Sequence, residues 1–263
     1  MTYGFIGLGN MASAIIRGMY NNEFFTIHSV CGHNRSSGKT EALAEETGLA
    51  PCNSNIEVVE KSDVVILAVK PQFMEEVLNE IAPAVTPDKL FITVAAGKTL
   101  EWYAPFLENC PVIRAMPNIN AVVGMSATAL TPNDYVTQNQ FQLAKTMFSA
   151  IGEVYHISEK MFSGFSALCG SSVAFTFMYM DALASAGVKA GFPKKQALEF
   201  AMQSVAGCAV MLSASGKSPA ELVDMICSPG GTTIEGVHKI RELGFENAVY
   251  KGIDAIIEKD KKI

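Results

Sequence analysis

Short apolar runs without polar alternation recur through the first half of this chain, and they leave little choice of architecture. Tyr3–Leu8, Ile27–Cys31, Val64–Val69, Leu90–Ala95 and Val112–Ala115 read as strands, while Met11–Tyr20, Thr40–Thr47, Gln72–Ile81 and Leu100–Leu107 between them carry helical periodicity. A strand that is apolar on both sides must be covered on both sides, so the pattern predicts a parallel sheet flanked by helices. Further strands are expected at Ser126–Leu130 and Val154–Ile157, with a helix over Tyr135–Ala150 between them. After about Ser158 the strand signal stops. Helical patterns follow at Lys160–Ala190, Lys194–Ala214, Pro219–Ile226, Thr232–Leu243 and Glu246–Lys259. The expected organisation is an α/β domain over residues 1–158 and an all-α domain over 159–263.

With 49% hydrophobic and 17% charged residues among 263, the chain can fill a core for both parts. A net charge of −6 argues against nucleic-acid binding, which needs a basic face. The six cysteines include no CxxC pair and no histidine at metal-ligand spacing, so reduced thiols in a cytoplasmic protein without a metal are expected. Gly4 to Gly9 reads as strand and turn, not as the apolar core of a secretory signal. Met161 to Met180 has no charged residue and is long enough to span a bilayer. Its many serines and glycines, and Asp181 directly after it, point instead to a helix buried all round inside protein at a subunit interface. At least a dimer is expected, with no membrane partner.

The N-terminal motif carries the first chemistry. Phe5-Ile6-Gly7-Leu8-Gly9-Asn10-Met11-Ala12 is a GxGxxA fingerprint between a predicted strand and a predicted helix. Gly7 permits the tight turn, Gly9 lets a pyrophosphate approach the backbone, and Ala12 lets helix and strand pack closely. The anion then meets free N–H groups at the helix N-terminus. This is the signature of a Rossmann dinucleotide-binding domain. At the end of the second strand, an NAD site usually carries an acid for the ribose hydroxyl. Cys31 to Lys39 contains none, but offers Arg35, Ser36 and Lys39 for a 2′-phosphate, so NADPH is the expected cofactor, with NADH second. Ala68-Val69-Lys70-Pro71 and Ala95-Ala96-Gly97-Lys98 end later strands and leave room for a nicotinamide riboside.

Toward the other end, Ser228-Pro229-Gly230-Gly231-Thr232-Thr233-Ile234-Glu235 feeds a loop into a helix. Thr232-x-x-Glu235 reads as a capping box, which makes Thr232 the N-cap and leaves Thr233 for ligand work. The clustered amides suit a substrate carboxylate.

These residues resemble those of pyrroline-5-carboxylate reductases, over essentially the whole chain. The resemblance rests on FIGLGNMASAI at the start, Ala68-Val69-Lys70-Pro71-Gln72, Arg114-Ala115-Met116-Pro117-Asn118, Asp181-Ala182-Leu183-Ala184-x-Ala186-Gly187-Val188 and, above all, Ser228-Pro229-Gly230-Gly231-Thr232-Thr233-Ile234. It implies NAD(P)H-dependent reduction of 1-pyrroline-5-carboxylate to L-proline, and a Rossmann domain joined to a helical domain that interlocks with its twin. It further implies that Gly7, Gly9, Asn10 and Met11 line the pyrophosphate, that Asn34, Arg35 and Lys39 approach the ribose phosphate, and that Asn55 lies near the ribose. Ala68, Val69, Lys70, Pro71, Ala95, Ala96, Gly97, Met116, Pro117 and Asn118 would flank the nicotinamide half. Gly230, Gly231, Thr232 and Thr233 would hold the substrate carboxylate together with Asn118, with Thr233 on the ring nitrogen. Two departures border this site. Ile119-Asn120 stands where the family reads Thr-Pro after Met-Pro-Asn, and Ser172-Val173 stands where it reads Gly-Pro.

Hydride transfer to an electrophilic imine needs mainly orientation, and no general acid is evident; His156 and His238 are expected to be structural or solvated. A β-hydroxyacid dehydrogenase shares the N-terminal motif but needs a lysine on the long helix, and Met161 to Val188 has none. A non-catalytic NADP(H) sensor is the third reading, resting on the two departures.

Overall fold

A computed structural model describes residues 1–260. It divides into two compact units, Met1–Gly170 with the end of the last helix from Ile257, and Ser171–Ile256.

The first unit runs β1 (Thr2–Ile6), α1 (Asn10–Asn21), β2 (Ser29–His33), α2 (Ser37–Thr47), β3 (Ala50–Pro51), α3 (Asn55–Lys61), β4 (Val64–Leu67), α4 (Met74–Ile81), β5 (Leu90–Thr93), α5 (Leu100–Tyr103), β6 (Val112–Met116), β7 (Ser126–Pro132), α6 (Gln138–Ser149) and β8 (Gly152–His156). The strands form one sheet in the order β3-β2-β1-β4-β5-β6-β7-β8. Pairing is parallel from β3 through β6 and between β7 and β8, but β7 runs antiparallel to β6. The five strands read from the apolar runs are thus parallel as expected, and the reversal falls at the first strand added beyond them. Its cause is the connection, a 3-10 turn at Ile119–Val123, which is too short for a parallel crossover.

Alternate side chains of each strand feed two cores. Tyr3, Phe5, Val64, Ile66 and Ile92 pack with Ile15, Ile16, Met147 and Phe148 on one face. Ile6, Val65, Leu67 and Phe91 pack with Val58, Leu78, Ile81 and Tyr103 on the other. This two-sided burial is what the unalternating apolar runs require. β1, β4 and β5 end two residues before their apolar runs do, because those last residues turn out into loops. Helix α3 goes beyond the elements expected from the sequence. Its signals are local: the Ser54 hydroxyl accepts from the Glu57 amide at 3.1 Å, and Lys61 pairs with Glu57 at 2.6 Å one turn back.

Residues 159–170 belong with the sheet. Phe162 is buried against Met116 and Ala129, and the segment continues through α7 (Phe162–Phe165) into a π-helix at Ser166–Ser171.

The second unit is helical: α8 (Val173–Lys189), α9 (Lys194–Ser215), α10 (Pro219–Ile226), α11 (Thr232–Glu242) and α12 (Phe245–Asp260). Lys194 holds Asp181 at 2.6 Å across the α8–α9 corner. An apolar cavity of about 810 Å³ opens between Phe175, Met178 and Tyr179 of α8, Val223 of α10, Ile240 of α11 and Val249 of α12. The expectation that Met161–Met180 is buried all round is not met within one chain: Met178 is 70% exposed, and only 11% of the most apolar window from Glu159–Lys189 is buried. The chain by itself supplies too few neighbours for these faces. Two helical stretches, Glu159–Lys189 and Lys194–Ser215, are long and apolar enough to cross a membrane by length and composition.

Candidate active site

Strand register gathers the predicted site loops. Ile6 pairs with both His33 and Leu67, Leu67 with Thr93, and Thr93 with Arg114. The turns that follow, at 7–9, 34–39, 68–71, 95–97 and 116–118, therefore leave the sheet at one edge. That edge is the carboxyl end of the parallel strands, where open α/β sheets hold ligands, and the strand order reverses there between β1 and β4.

A cavity of about 440 Å³ opens at this point. Of the expected cofactor residues, Gly7, Gly9, Asn34, Arg35, Lys39, Asn55, Ala68, Val69 and Lys70 line it. Asn10, Met11 and Pro71 adjoin those residues in the chain but stand outside the lining. Ala95, Ala96, Gly97, Met116, Pro117 and Asn118 share the sheet edge without forming its wall.

The glycine turn is built for close approach. Gly7 has φ +88°, and a Cβ there would stand 2.8 Å from Val69 Cγ1. Its N–H donates to His33 O at 2.9 Å, tying the turn to β2. Gly9 is the N-cap of α1, no side chain caps that helix, and a Cβ at Gly9 would meet nothing within 4 Å. The first amides of α1 have no acceptor inside the helix, so they are left pointing into open space beside Gly9. This arrangement fits a pyrophosphate. Asn34 does structural work in the same loop: its Oδ1 accepts from the Leu8 N–H at 3.1 Å and its Nδ2 donates to Ser36 O at 3.2 Å.

Charge divides the cavity. Arg35 and Lys39 are exposed on the β2 side, while Glu76 and Glu80 stand on α4. The Arg35 guanidinium lies 5.4 Å from the centre of the Phe73 ring, and Asn55 Nδ2 donates to Glu80 Oε2 at 2.7 Å. The α4 wall was missed at the level of sequence. Its signal was present: Met74, Val77, Leu78 and Ile81 form the buried stripe, which turns Phe73, Glu76 and Glu80 outward together.

Beneath the β5 and β6 ends lies a buried polar layer. Thr93 Oγ1 and the Tyr103 hydroxyl meet at 2.6 Å, and burial pushes the Tyr103 phenol up to about 12. Arg114 is 5% exposed, pairs with Glu159 at 3.0 Å and lies 4.6 Å from the centre of the Phe162 ring. Glu159 Oε1 also accepts from the Leu100 N–H at 2.8 Å.

In the helical unit, Gly230 adopts φ +67° and the Gly231 N–H donates to Ser228 O at 3.0 Å. This turn corrects the expected capping box. Gly231 is the N-cap of α11, no side chain caps the helix, and Thr232 is its first residue. The tight turn back to Ser228 starts the helix one residue early, which puts Glu235 out of register for a reciprocal cap. Thr232 and Thr233 are exposed at an uncapped helix N-terminus.

Comparison with known proteins agrees with this layout. Residues 159–263 match the family profile for pyrroline-5-carboxylate reductase dimerisation, and residues 2–97 match one for coenzyme F420-dependent NADP oxidoreductases. The chain is 39% identical to a pyrroline-5-carboxylate reductase of Escherichia coli over 99% of its own length and 97% of that protein's. It is 34% identical to one from Glycine max, over 100% and 96%. A crystal structure of the Streptococcus pyogenes 1-pyrroline-5-carboxylate reductase superposes with a TM-score of 0.91 at 39% identity, covering 100% of this chain and 99% of that one. A Plasmodium falciparum pyrroline carboxylate reductase solved with NADP bound gives the same TM-score at 27% identity, covering 100% and 97%.

Proposed function

The chain belongs to the pyrroline-5-carboxylate reductase family, and we propose that it reduces 1-pyrroline-5-carboxylate to L-proline with NADPH, NADH serving as the poorer donor. This is the final step of proline biosynthesis. The observation that carries the reading is the open, uncapped glycine turn at Gly7–Gly9, facing Arg35 and Lys39 across one cavity, in a chain similar to these reductases from end to end.

The α1 N-terminus at Gly9, Asn10 and Met11 holds the pyrophosphate, and Arg35, Ser36 and Lys39 hold the 2′-phosphate. Asn55 takes the ribose. Ala68 to Pro71, Ala95 to Gly97 and Met116 to Asn118 border the nicotinamide half. NADPH, when bound, supplies a hydride to the imine carbon, and the C=N π electrons move to the ring nitrogen. The protonated imine is electrophilic already, so the chain's work is orientation, exclusion of water and a hydrogen bond to that nitrogen. Gly230 and Thr232 offer their amides at the start of α11 to the substrate carboxylate, and the Gly231 amide, bonded to Ser228 O, fixes the turn that presents them. Thr233, next in the same turn, carries the hydroxyl for the nitrogen.

Residues 1–158 are the cofactor domain of this reading and 159–263 the substrate domain, whose opening stretch to Gly170 packs with the sheet. The exposed apolar faces of α8 and α9 pair with a second copy, giving a homodimer that can assemble further, and the free thiols suit the cytoplasm. NADPH oxidation driven by pyrroline-5-carboxylate tests the activity itself. Thr233→Ala is expected to lower that turnover at least tenfold while NADPH binding stays intact. Unchanged turnover removes Thr233 from the mechanism.

A further inference from the structure

One side chain bonds within the segment 119–120 and to the π-helix that runs up to 172–173, the two places where the chain departs from the pattern it resembles. Asn118 is buried at the end of β6, and each of its polar groups has a protein partner. Its backbone N–H donates to Ser126 Oγ at 3.1 Å, and that hydroxyl continues to Thr128 Oγ1 at 3.1 Å. Its Oδ1 accepts from the Asn120 N–H at 3.1 Å and caps the 3-10 turn Ile119–Val123. Its Nδ2 donates to Cys169 O at 2.8 Å, inside the π-helix Ser166–Ser171. A proline at position 120 would have no N–H to offer this oxygen. In an α-helix the carbonyl of residue 169 would be taken by the amide of residue 173, which a proline lacks and Val173 possesses. The pattern that this chain resembles reads proline at both positions, whereas Asn120 and Val173 carry both amides. The Asn118 carboxamide captures one of them and the carbonyl the other would claim.

We infer that Asn118 is a positioning residue: its carboxamide locks the Met116–Asn118 turn to the π-turn at Cys169 and keeps the Cys169 carbonyl out of the α-helical ladder. A π-turn next to a strand end of the cofactor edge is where such backbone irregularity serves function. The bonds hold two backbone segments in one arrangement at the same sheet edge as the nicotinamide loops. Both amide-bearing residues are thereby accommodated without altering the turn that the reaction uses. Asn118 acts through this lock: one lone pair of Oδ1 and one hydrogen of Nδ2 are committed to the backbone of the two segments it joins.

This inference rests on the reductase reading, and wild-type turnover of pyrroline-5-carboxylate tests that reading separately. The inference is tested by ratios to wild type. Asn118→Ala is expected to lower kcat about tenfold, with the KM for pyrroline-5-carboxylate changed less than twofold. Adding Val173→Pro, which deletes the competing amide, is expected to restore at least a third of the wild-type kcat. A raised KM at unchanged kcat would make Asn118 a ligand, and a failure of Val173→Pro to rescue would overturn the lock. Asn118→Asp keeps the volume and the acceptor for the Asn120 amide, and so guards against misfolding of the alanine variant. Only its protonated form can donate to the Cys169 carbonyl, so its activity relative to wild type is expected to rise at least threefold from pH 8 to pH 5.5. A flat ratio overturns the inference.

Discussion

Replacing Arg35 by alanine removes a guanidinium from the β2 side of the cofactor cavity and leaves the glycine turn untouched. Arg35 is exposed, and its guanidinium lies 5.4 Å from the centre of the Phe73 ring. A charge-assisted hydrogen bond contributes ~1.5–3 kcal/mol, and solvent exposure selects the lower end of that range. A loss of ~1.5 kcal/mol corresponds to about tenfold in kcat/KM for NADPH. Lys39 lines the same cavity, and with a comparable interaction proposed for it the Arg35→Ala/Lys39→Ala pair is expected to lose about a hundredfold. NADH has no 2′-phosphate, so its kcat/KM should change less than twofold in either variant. The assay is initial-rate NAD(P)H oxidation at saturating pyrroline-5-carboxylate with each donor titrated. Equal losses with both donors would refute the assignment, because a general disturbance of the cavity or of the Arg35–Phe73 contact penalises both alike.

Two further outcomes concern the buried layer beneath the site. Glu159→Gln removes the countercharge of Arg114 and leaves it a neutral carbonyl oxygen and the Phe162 ring, which is expected to cost ~2 kcal/mol, below the ~3–5 kcal/mol of a fully buried pair because Glu159 is partly exposed. Urea unfolding measures the loss, and Arg114→Met in the same chain should recover at least half of it; no loss in Glu159→Gln would show that the pair contributes nothing. The Tyr103 phenol is held at about 12 against an ordinary value of 10.0, so the folded state favours its neutral form. Its contribution is fully present below pH 10 and is lost as pH rises from 10 to 12, to a limit of ~3 kcal/mol. Tyr103→Phe should therefore flatten the fall of the urea midpoint above pH 10, and identical slopes in the two proteins would refute the cause.

The contrast between what was legible and what was not follows from the range of the interactions. Apolar runs at 64–69 and 90–95 dictate strands covered on both faces, because a side chain's need for burial shows in its own neighbours. The same locality makes Gly7-x-Gly9-x-x-Ala12 readable as a strand–turn–helix, since the turn's sterics belong to those residues alone. Even the missed α3 was announced by Ser54, Glu57 and Lys61 within a single turn.

Other features depend on partners far along the chain. Asn34 braces the glycine turn through a bond to Leu8 across 26 positions, and Asn118 reaches Cys169 across 51. No spacing rule connects such pairs. The reversal of β7, the α4 wall facing Arg35, and the start of α11 at Thr232 behind a turn closed by Ser228 were likewise settled by tertiary structure. Residue types and their period determine which segments become strands and helices. Only the folded chain decides which polar groups find one another, because a hydrogen bond answers to distance in space and not along the sequence.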